Sequence, residues 1–372
     1  MLFHLTEEII GAAEEKNPDA VIIIEEIARS YRLGNHLVFT ERKLLDRLIN
    51  IPNYNNKETQ QIFTHIKNKY ATHGNIINQI SLKVVFTLTE ELKIIKDKEN
   101  GRYKEIRLPV NQIHEFEIFG CSKLLGENIT EIKFYSLICD FFKNKNGFTI
   151  PTKYFPLHGG GNTINEVLEE ITNYKNCFCL AFLDSDKKYP DCEIGETLKK
   201  VKKSRKKDFC YFNTDYIYSD SYREVENLIP LSLLKEISKE NPDWNKGYTT
   251  LETIFVKGGN IDYYDIKESV TEKHYSEITN PHYGEYVRKQ LLIAGLKNEE
   301  ELEAIKGKKE DKDTILLQGL GKKVLDRAIE YVKKNFPEWS QTPNLPETLE
   351  KEWERYGKEI LNWTCAASPL RV

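Results

Sequence analysis

Short strand-like segments alternate with amphipathic ones between about residues 115 and 230, and this alternation constrains the fold more than any other feature. Five segments follow in the order strand, helix, strand, helix, strand: Cys121–Leu125, Ile129–Phe142, Tyr154–Leu157, Thr163–Tyr174 and Cys177–Leu183. The last of them is apolar enough to be buried on both faces, as in a parallel sheet. The order predicts a right-handed parallel α/β core.

The flanking sequence differs in pattern and divides the chain into three predicted parts. Residues 1–115 indicate a mixed α/β domain of unassigned role, with a β-branched run at Ala20–Ile24 and a type I′ hairpin expected at Asn100 and Gly101. Residues 116–230 are the parallel-sheet core. Residues 231–372 are mainly helical in pattern. The predicted fold class is α/β, with this core between a mixed α/β segment and a helical extension.

The composition indicates a folded protein in a reducing compartment. The 372 residues are 40% hydrophobic and 11% aromatic, which excludes a disordered chain. The seven cysteines have no CxxC spacing, and no run approaches the roughly 20 apolar residues of a membrane span. We therefore expect reduced thiols and a cytoplasmic location.

Acidic residues follow two of the predicted strands, where open parallel sheets bind their ligands. Glu127 follows the first strand, and Asp184 and Asp186 follow Cys177–Leu183. In an extended chain the two aspartates point the same way. Clustered carboxylates favour a hard divalent cation, so we expect Mg²⁺ or Mn²⁺ here. The alternative is a polar turn whose aspartates cap the next segment.

A second acidic pair, Glu224 and Glu226, also alternates across one residue after a strand-like segment. Both are candidate metal ligands, with Glu226 slightly favoured. The alternative for one of them is a helix start, where a carboxylate is favourable to the dipole.

Basic residues are concentrated in Lys199–Lys207, although the chain as a whole carries a net charge of −4. The run either binds the phosphate backbone of a nucleic acid or is a solvated helix face. Its candidate contacts are Lys199, Lys200, Lys202, Lys203, Arg205, Lys206 and Lys207.

Three consecutive glycines, Gly159–Gly161, precede the predicted helix Thr163–Tyr174. Backbone N–H groups at such a helix start can bind phosphate. A tight turn is the commoner reason for such glycines, and the spacing matches neither GxGxxG nor a Walker A loop.

The acidic residues and the glycine-rich segment together resemble the Toprim nucleases related to the overcoming-lysogenization-defect family and small bacterial defence nucleases. The resemblance lies in Gly126-Glu127 with Glu131-Ile132-Lys133-Phe134-Tyr135, then Leu183-Asp184-Ser185-Asp186, then Arg223-Glu224-Val225-Glu226-Asn227. It covers about a third of the chain. Asn128 replaces the family's usual glycine and can cap the helix, and Glu131 stands where aspartate is commoner.

The resemblance implies a metal-dependent nuclease acting on DNA or RNA, tRNA included, as an effector of anti-phage defence. A downstream lysine often joins such sites, and Lys322 in Gly319-Leu320-Gly321-Lys322-Lys323 is the candidate. The resemblance also leaves room for a partner ATPase sensor and for a homo-oligomer.

Two other readings stay open. Asp184-Ser185-Asp186 after an apolar strand imitates the nucleophile motif of haloacid-dehalogenase-like phosphatases, in which Asp184 would be phosphorylated. That motif normally opens its fold, whereas here a strand-helix-strand-helix unit precedes it. The other reading is a non-catalytic module that binds nucleic acid or protein on a degenerate Toprim-like sheet.

Overall fold

The structure is a computed structural model that describes residues 1–52, 54–73, 76–88, 91–205, 211–307, 314–339 and 345–371. The chain forms two compact units. The first comprises Met1–Phe182, Val201–Ile217 and Glu354–Val372, and the second comprises Leu183–Lys200 and Tyr218–Trp353. The division into three parts at residues 115 and 230 stays a prediction.

The first unit begins with a five-stranded sheet and its helices. The elements are β1 (Leu2–His4), α1 (Glu7–Glu14), α2 (Pro18–Arg32), β2 (Leu37–Phe39), α3 (Arg42–Ile49), α4 (Lys57–Asn68), α5 (Tyr70–His73), α6 (Ile76–Gln79), β3 (Lys83–Thr87), β4 (Lys93–Lys96) and β5 (Tyr103–Pro109). The strand order is β2-β1-β3-β5-β4, and only the β4–β5 pair is antiparallel among these described strands. The mixed α/β character predicted here is confirmed.

Two local predictions in this segment have different outcomes. Ala20–Ile24 lies inside helix α2, whose N-cap Asn17 accepts a hydrogen bond from the Ala20 N–H. The apolar residues of this helix point inward, which explains the β-branched run without a strand. The hairpin at Gly101 is confirmed, but Gly101 has a positive φ and Asn100 does not, so the turn is not type I′. Asp97 closes the turn instead by accepting the N–H of Gly101.

The first unit also contains the parallel sheet that the sequence pattern predicts. Its elements are β6 (Lys123–Gly126), α7 (Ile129–Lys145), β7 (Phe155–His158), α8 (Ile164–Tyr174), β8 (Cys179–Phe182), α9 (Glu196–Ser204), whose first residues belong to the second unit, and β9 (Thr214–Ile217). The order is β7-β6-β8-β9, with every pair parallel. All four residues of β8 are buried, as expected for a central strand covered on both faces. A parallel α/β core is therefore confirmed.

The second unit is mainly helical, as predicted for residues beyond 231. Its elements are α10 (Leu231–Ser238), α11 (Pro242–Val256), β10 (Val270–Thr271), α12 (Glu272–Glu277), α13 (Pro281–Ala294), α14 (Glu299–Gly307), β11 (Ile315–Leu317), α15 (Val324–Trp339) and α16 (Glu347–Thr364), whose last turns belong to the first unit. Strands β10 and β11 pair antiparallel. Among the described residues, no helix has the length and apolar character to cross a membrane.

Candidate functional site

Glu127 lies in the first unit, directly after β6. Its backbone N–H donates a 2.9 Å hydrogen bond to the buried carboxylate of Glu131. Asn128 caps α7, because its side-chain oxygen accepts the N–H of Glu131 at 3.0 Å. The predicted capping role of Asn128 is confirmed, and it explains how the chain turns from strand to helix without the family's glycine.

The glycine-rich turn brings the ends of β6 and β7 close together. Gly159 donates its N–H to the carbonyl of Gly126 at 2.7 Å, and a Cβ on Gly159 would lie 2.7 Å from Ile164. Gly160, with φ of 70°, donates its N–H to the Nδ1 atom of His158. These two amides have protein acceptors, so a tight turn explains Gly159 and Gly160. Phosphate binding at this helix start stays a prediction.

Hydrogen bonds join the two acidic segments of the second unit. Asp184 accepts the N–H of Val225 at 3.1 Å. The N–H groups of Ser185 and Asp186 both donate to the Arg223 carbonyl, and the Ser185 hydroxyl donates to the Tyr222 carbonyl at 2.7 Å. The Asp184–Asp186 segment therefore lies against the segment that carries Glu224 and Glu226, as expected from the sequence.

The backbone is not extended through Asp186, so its side chain does not repeat the direction of Asp184. Asp186 has a φ of 55°, in the left-handed region. Its carboxylate lies against Gly195, where a Cβ would fall 2.1 Å from Oδ2. The expectation that both aspartates point the same way assumed an extended chain, and that condition is not met at Asp186.

Lys267 lies between the two glutamates of the second acidic pair. Its ammonium is 2.6 Å from Glu224 and 3.2 Å from Glu226, and both carboxylates are largely buried. Arg223 contacts Glu224 at 2.9 Å and Asp265 at 2.8 Å. We call Asp184, Asp186, Glu224, Glu226 and Lys267 the acid-lysine cluster.

Burial and repulsion by Glu224 raise the pKa values of two acids of this cluster, Asp186 and Glu226. Burial raises the pKa of Asp186, and the charge of Glu224 adds to that effect. Burial also raises the pKa of Glu226, although Lys267 opposes it. Burial by itself lowers the pKa of Lys267, but Glu226 and Glu224 outweigh burial and raise it above the usual lysine value. The cluster therefore holds more acidic than basic side chains, because four acids face Lys267 and the neighbouring Arg223.

The donor set of the cluster fits a hard divalent cation in chemistry and in charge, because carboxylate oxygens with raised pKa values gain from a nearby cation. The geometry is not that of a formed metal centre. Among the described residues, no group of three or more His, Cys, Asp or Glu side chains is arranged to hold a metal ion. In the structure, the ammonium of Lys267 supplies positive charge at Glu224 and Glu226, and Arg223 adds positive charge at Glu224.

Lys322, the lysine singled out in the sequence, lies elsewhere in the second unit. Its side chain is 84% exposed and 3.7 Å from Glu268. Lys267, which the sequence reasoning missed, is the lysine beside the glutamates. The two are linked by the backbone, because Gly321 donates its N–H to the Lys267 carbonyl. Lys267 is a single lysine in a polar stretch of sequence, and no periodicity or motif there could have identified it.

The described side chains of the basic run Lys199–Lys207 differ in their contacts and in their exposure. Lys199 pairs with Glu193 at 2.7 Å, and Arg205 donates to the Thr214 carbonyl while its guanidinium lies 4.7 Å from the centre of the Tyr211 ring. Arg205 therefore packs within the first unit, whereas Lys200 and Lys203 are exposed and Lys202 is half-buried. Lys206 and Lys207 lie outside the described residues. The nucleic-acid role of the run stays a prediction.

Comparison with known proteins finds no match for the chain among family models, curated proteins or solved structures.

Proposed function

We propose that this chain is a Mg²⁺- or Mn²⁺-dependent nuclease of the Toprim type, which hydrolyses phosphodiester bonds in DNA or RNA. The observation that carries the proposal is the acid-lysine cluster, in which hydrogen bonds join Asp184 to the segment bearing Glu224 and Glu226. The parallel sheet that precedes it is compatible with a Toprim core.

Asp184, Asp186 and Glu226 would hold the cation, and Glu224 is the alternative to Glu226. When bound, the cation would lower the pKa of a water and neutralise charge on the reacting phosphate. Lys267 would contribute a second positive charge for a phosphate oxygen, and Arg223 orients Glu224 through their 2.9 Å contact. Glu127 as a further ligand and Lys322 as a catalytic residue stay sequence-based predictions.

The biological role in the proposal comes from the family resemblance. It comprises anti-phage defence in the cytoplasm, control by a partner ATPase sensor, and a substrate that includes tRNA. The acid-lysine cluster supports the proposed chemistry, and the proposed role in the cell rests on the family resemblance alone.

A second candidate, a non-catalytic binding module, is favoured by one specific observation. Lys267 already pairs with Glu224 and Glu226 inside the unit. An ion pair of this kind can be structural, because breaking it leaves a largely buried carboxylate without its partner.

A cleavage assay separates the two candidates. Plasmid DNA, single-stranded DNA and tRNA are incubated with the protein in Mg²⁺, in Mn²⁺ and in EDTA. We expect cleavage only with metal, and a loss of at least about 100-fold in Asp184→Asn and Glu226→Gln. Glu285→Gln is the matched control, because that side chain is 64% exposed on α13.

Two outcomes would reject the nuclease. One is the absence of cleavage on every substrate with either metal, together with no Mn²⁺ binding by calorimetry. The other is cleavage that survives unchanged in Asp184→Asn and Glu226→Gln, since a contaminating enzyme would then be responsible. Glu127→Ala in the same assay tests the role predicted for Glu127.

A further inference from the structure

An open groove of about 650 Å³ lies in the second unit, apart from the acid-lysine cluster side chains. Residues of α10 and α11 line one side, and the segment before α15 and the first turns of α15 line the other. Small-molecule sites typically have volumes of roughly 300–1,000 Å³, so the groove can hold a nucleotide-sized ligand. Its aromatic and basic lining residues are Trp244, Tyr331, Lys322, Lys323, Arg327 and Lys334.

The floor of the groove is held by backbone contacts. Leu320 and Gly321 donate their N–H groups to the carbonyls of Ile266 and Lys267 at 2.8 and 3.0 Å. Gly247 lets α11 approach this segment, since a Cβ there would lie 2.9 Å from the Gln318 carbonyl oxygen. The groove is therefore bounded by packed backbone, which gives it a defined shape.

One wall of the groove is basic. Lys323, Arg327 and Lys334 are spaced by four and seven residues, which places them on one face of α15 because a helix advances 100° per residue. Glu330 lies on the same face and pairs with Arg327 at 3.1 Å. The wall still carries a positive balance, to which the exposed Lys322 adds.

The remaining lining offers an aromatic surface and an acidic edge. The Trp244 indole is half-exposed, and its Nε1 atom lies 3.8 Å from the position a Cβ would take on Gly321. Glu236 and Glu240, on the opposite side from α15, supply carboxylates, and Glu236 accepts a 3.4 Å hydrogen bond from the Tyr331 hydroxyl. The groove thus combines a stacking surface, an anion-binding wall and acceptors for N–H groups.

We propose that this groove binds a nucleotide unit. The base stacks on Trp244 and directs its amino group to the carboxylates of Glu236 and Glu240, while the phosphate contacts Lys323, Arg327 and Lys334. Bases with an exocyclic amino group fit the acidic edge, whereas the carbonyl-rich edge of thymine or uracil is repelled by it. The nucleotide belongs either to a single strand of nucleic acid or to a free mononucleotide, which share this chemistry.

Binding is measured by tryptophan fluorescence and anisotropy on the full chain carrying Asp184→Asn, in EDTA. Under these conditions the proposed hydrolysis is absent, so a failure of binding and a failure of cleavage are separate results. The probes are short oligodeoxycytidylate, oligodeoxythymidylate of equal length, and CMP. Tight binding of the oligomers alone identifies a single strand as the ligand, and equal binding of CMP identifies a free nucleotide.

The variants test each part of the groove. We expect Lys323→Glu and Lys334→Glu each to weaken binding about tenfold, because they place repulsive charge beside the phosphate. Lys333→Glu makes the same change at an exposed position of α15 outside the groove and should leave affinity unchanged. Trp244→Ala should weaken binding about tenfold or more, while Trp244→Phe keeps stacking and removes the quenching signal.

Each outcome decides the proposal. Preference for cytidylate over thymidylate that disappears in Glu240→Gln supports it. It is overturned if Lys333→Glu weakens binding as much as Lys334→Glu, or if Trp244→Phe leaves the quenching intact. It is also overturned if polyglutamate displaces the oligomer at equal charge concentration, since the groove would then bind any polyanion. Circular dichroism of each variant checks that the fold is retained.

Discussion

Replacing Lys267 with methionine removes the ammonium that lies 2.6 Å from Glu224 and 3.2 Å from Glu226 while keeping most of the side-chain volume. Glu224 retains its 2.9 Å contact with Arg223, so Glu226 is the carboxylate most affected. Glu226 is 6% exposed, and burial already raises its pKa. The substitution therefore leaves a largely buried charge without its main attraction.

The expected loss of unfolding free energy depends on how exposed the Lys267–Glu226 ion pair is. Removing one partner of a buried ion pair costs about 3–5 kcal/mol, whereas an exposed pair contributes less than about 1 kcal/mol. The Lys267 side chain is 30% exposed, so water can screen part of the effect. We expect a loss of about 2 kcal/mol in unfolding free energy above neutral pH. For a unit of this size that lowers the melting temperature by about 4–8 °C.

The loss should diminish as the pH falls. The folded pKa of Glu226 lies above its unfolded value, and without Lys267 it rises further. The folded state then binds more protons than the unfolded state, so stability increases as the pH falls through the folded pKa. Thermal melting of wild type, Lys267→Met and the exposed control Lys289→Met at several pH values measures this. The reasoning would be refuted if Lys267→Met had the same melting temperature as wild type at pH 8. It would also be refuted if Lys289→Met lowered the melting temperature as much as Lys267→Met does.

Three further predictions concern other positions. Burial raises the pKa of Glu359 to about 7. The free energy of unfolding should therefore fall by an amount on the order of 3 kcal/mol as the pH rises from about 4.5 to about 7. Glu359→Gln should flatten this pH dependence in urea titrations, and an unchanged pH dependence would contradict the prediction. Gly195→Ala should displace Asp186 and cost about 1–3 kcal/mol, whereas Gly120→Ala, with open space around it, should not. Asn128→Ala should lose the cap of α7 and about 1 kcal/mol. Asn128→Ser should restore most of that loss, because a serine hydroxyl also caps a helix and brings no charge beside the buried Glu131 carboxylate. Equal melting temperatures for all three proteins would exclude a capping role.

The fold was predictable where one local signal controls each element. The apolar segment that became β8 is buried at all four positions, and its helical neighbours α7 and α8 follow the 3.6-residue period of their apolar residues. Ala20–Ile24 was misleading because a β-branched run inside a largely buried helix looks like a short strand. Asn17 with Pro18, an N-cap followed by proline at the first helical position, is the signal that identifies α2.

The site was predictable only in part, because its geometry depends on contacts distant in sequence. Asp184 accepts the N–H of Val225, the residue before Glu226, across 41 residues of sequence, and the acidic character of Asp184 and Glu226 marked both. The left-handed backbone of Asp186 depends on space that Gly195 leaves, which no pattern near Asp186 reveals. Lys267 joins the glutamates through tertiary folding alone.

The charge balance of the acid-lysine cluster bears directly on its function. The cluster contains four carboxylates, two of which contact Lys267, and Arg223 is shared between Glu224 and Asp265. Burial, reinforced by the charge of Glu224, raises the pKa values of Asp186 and Glu226. When all four carboxylates are ionised, they leave negative charge beyond what Lys267 and Arg223 neutralise. A divalent cation would neutralise it, and Lys267→Met would remove the competing ammonium. Mn²⁺ should therefore raise the melting temperature of Lys267→Met more than that of wild type, and an equal or smaller increase would favour the binding module.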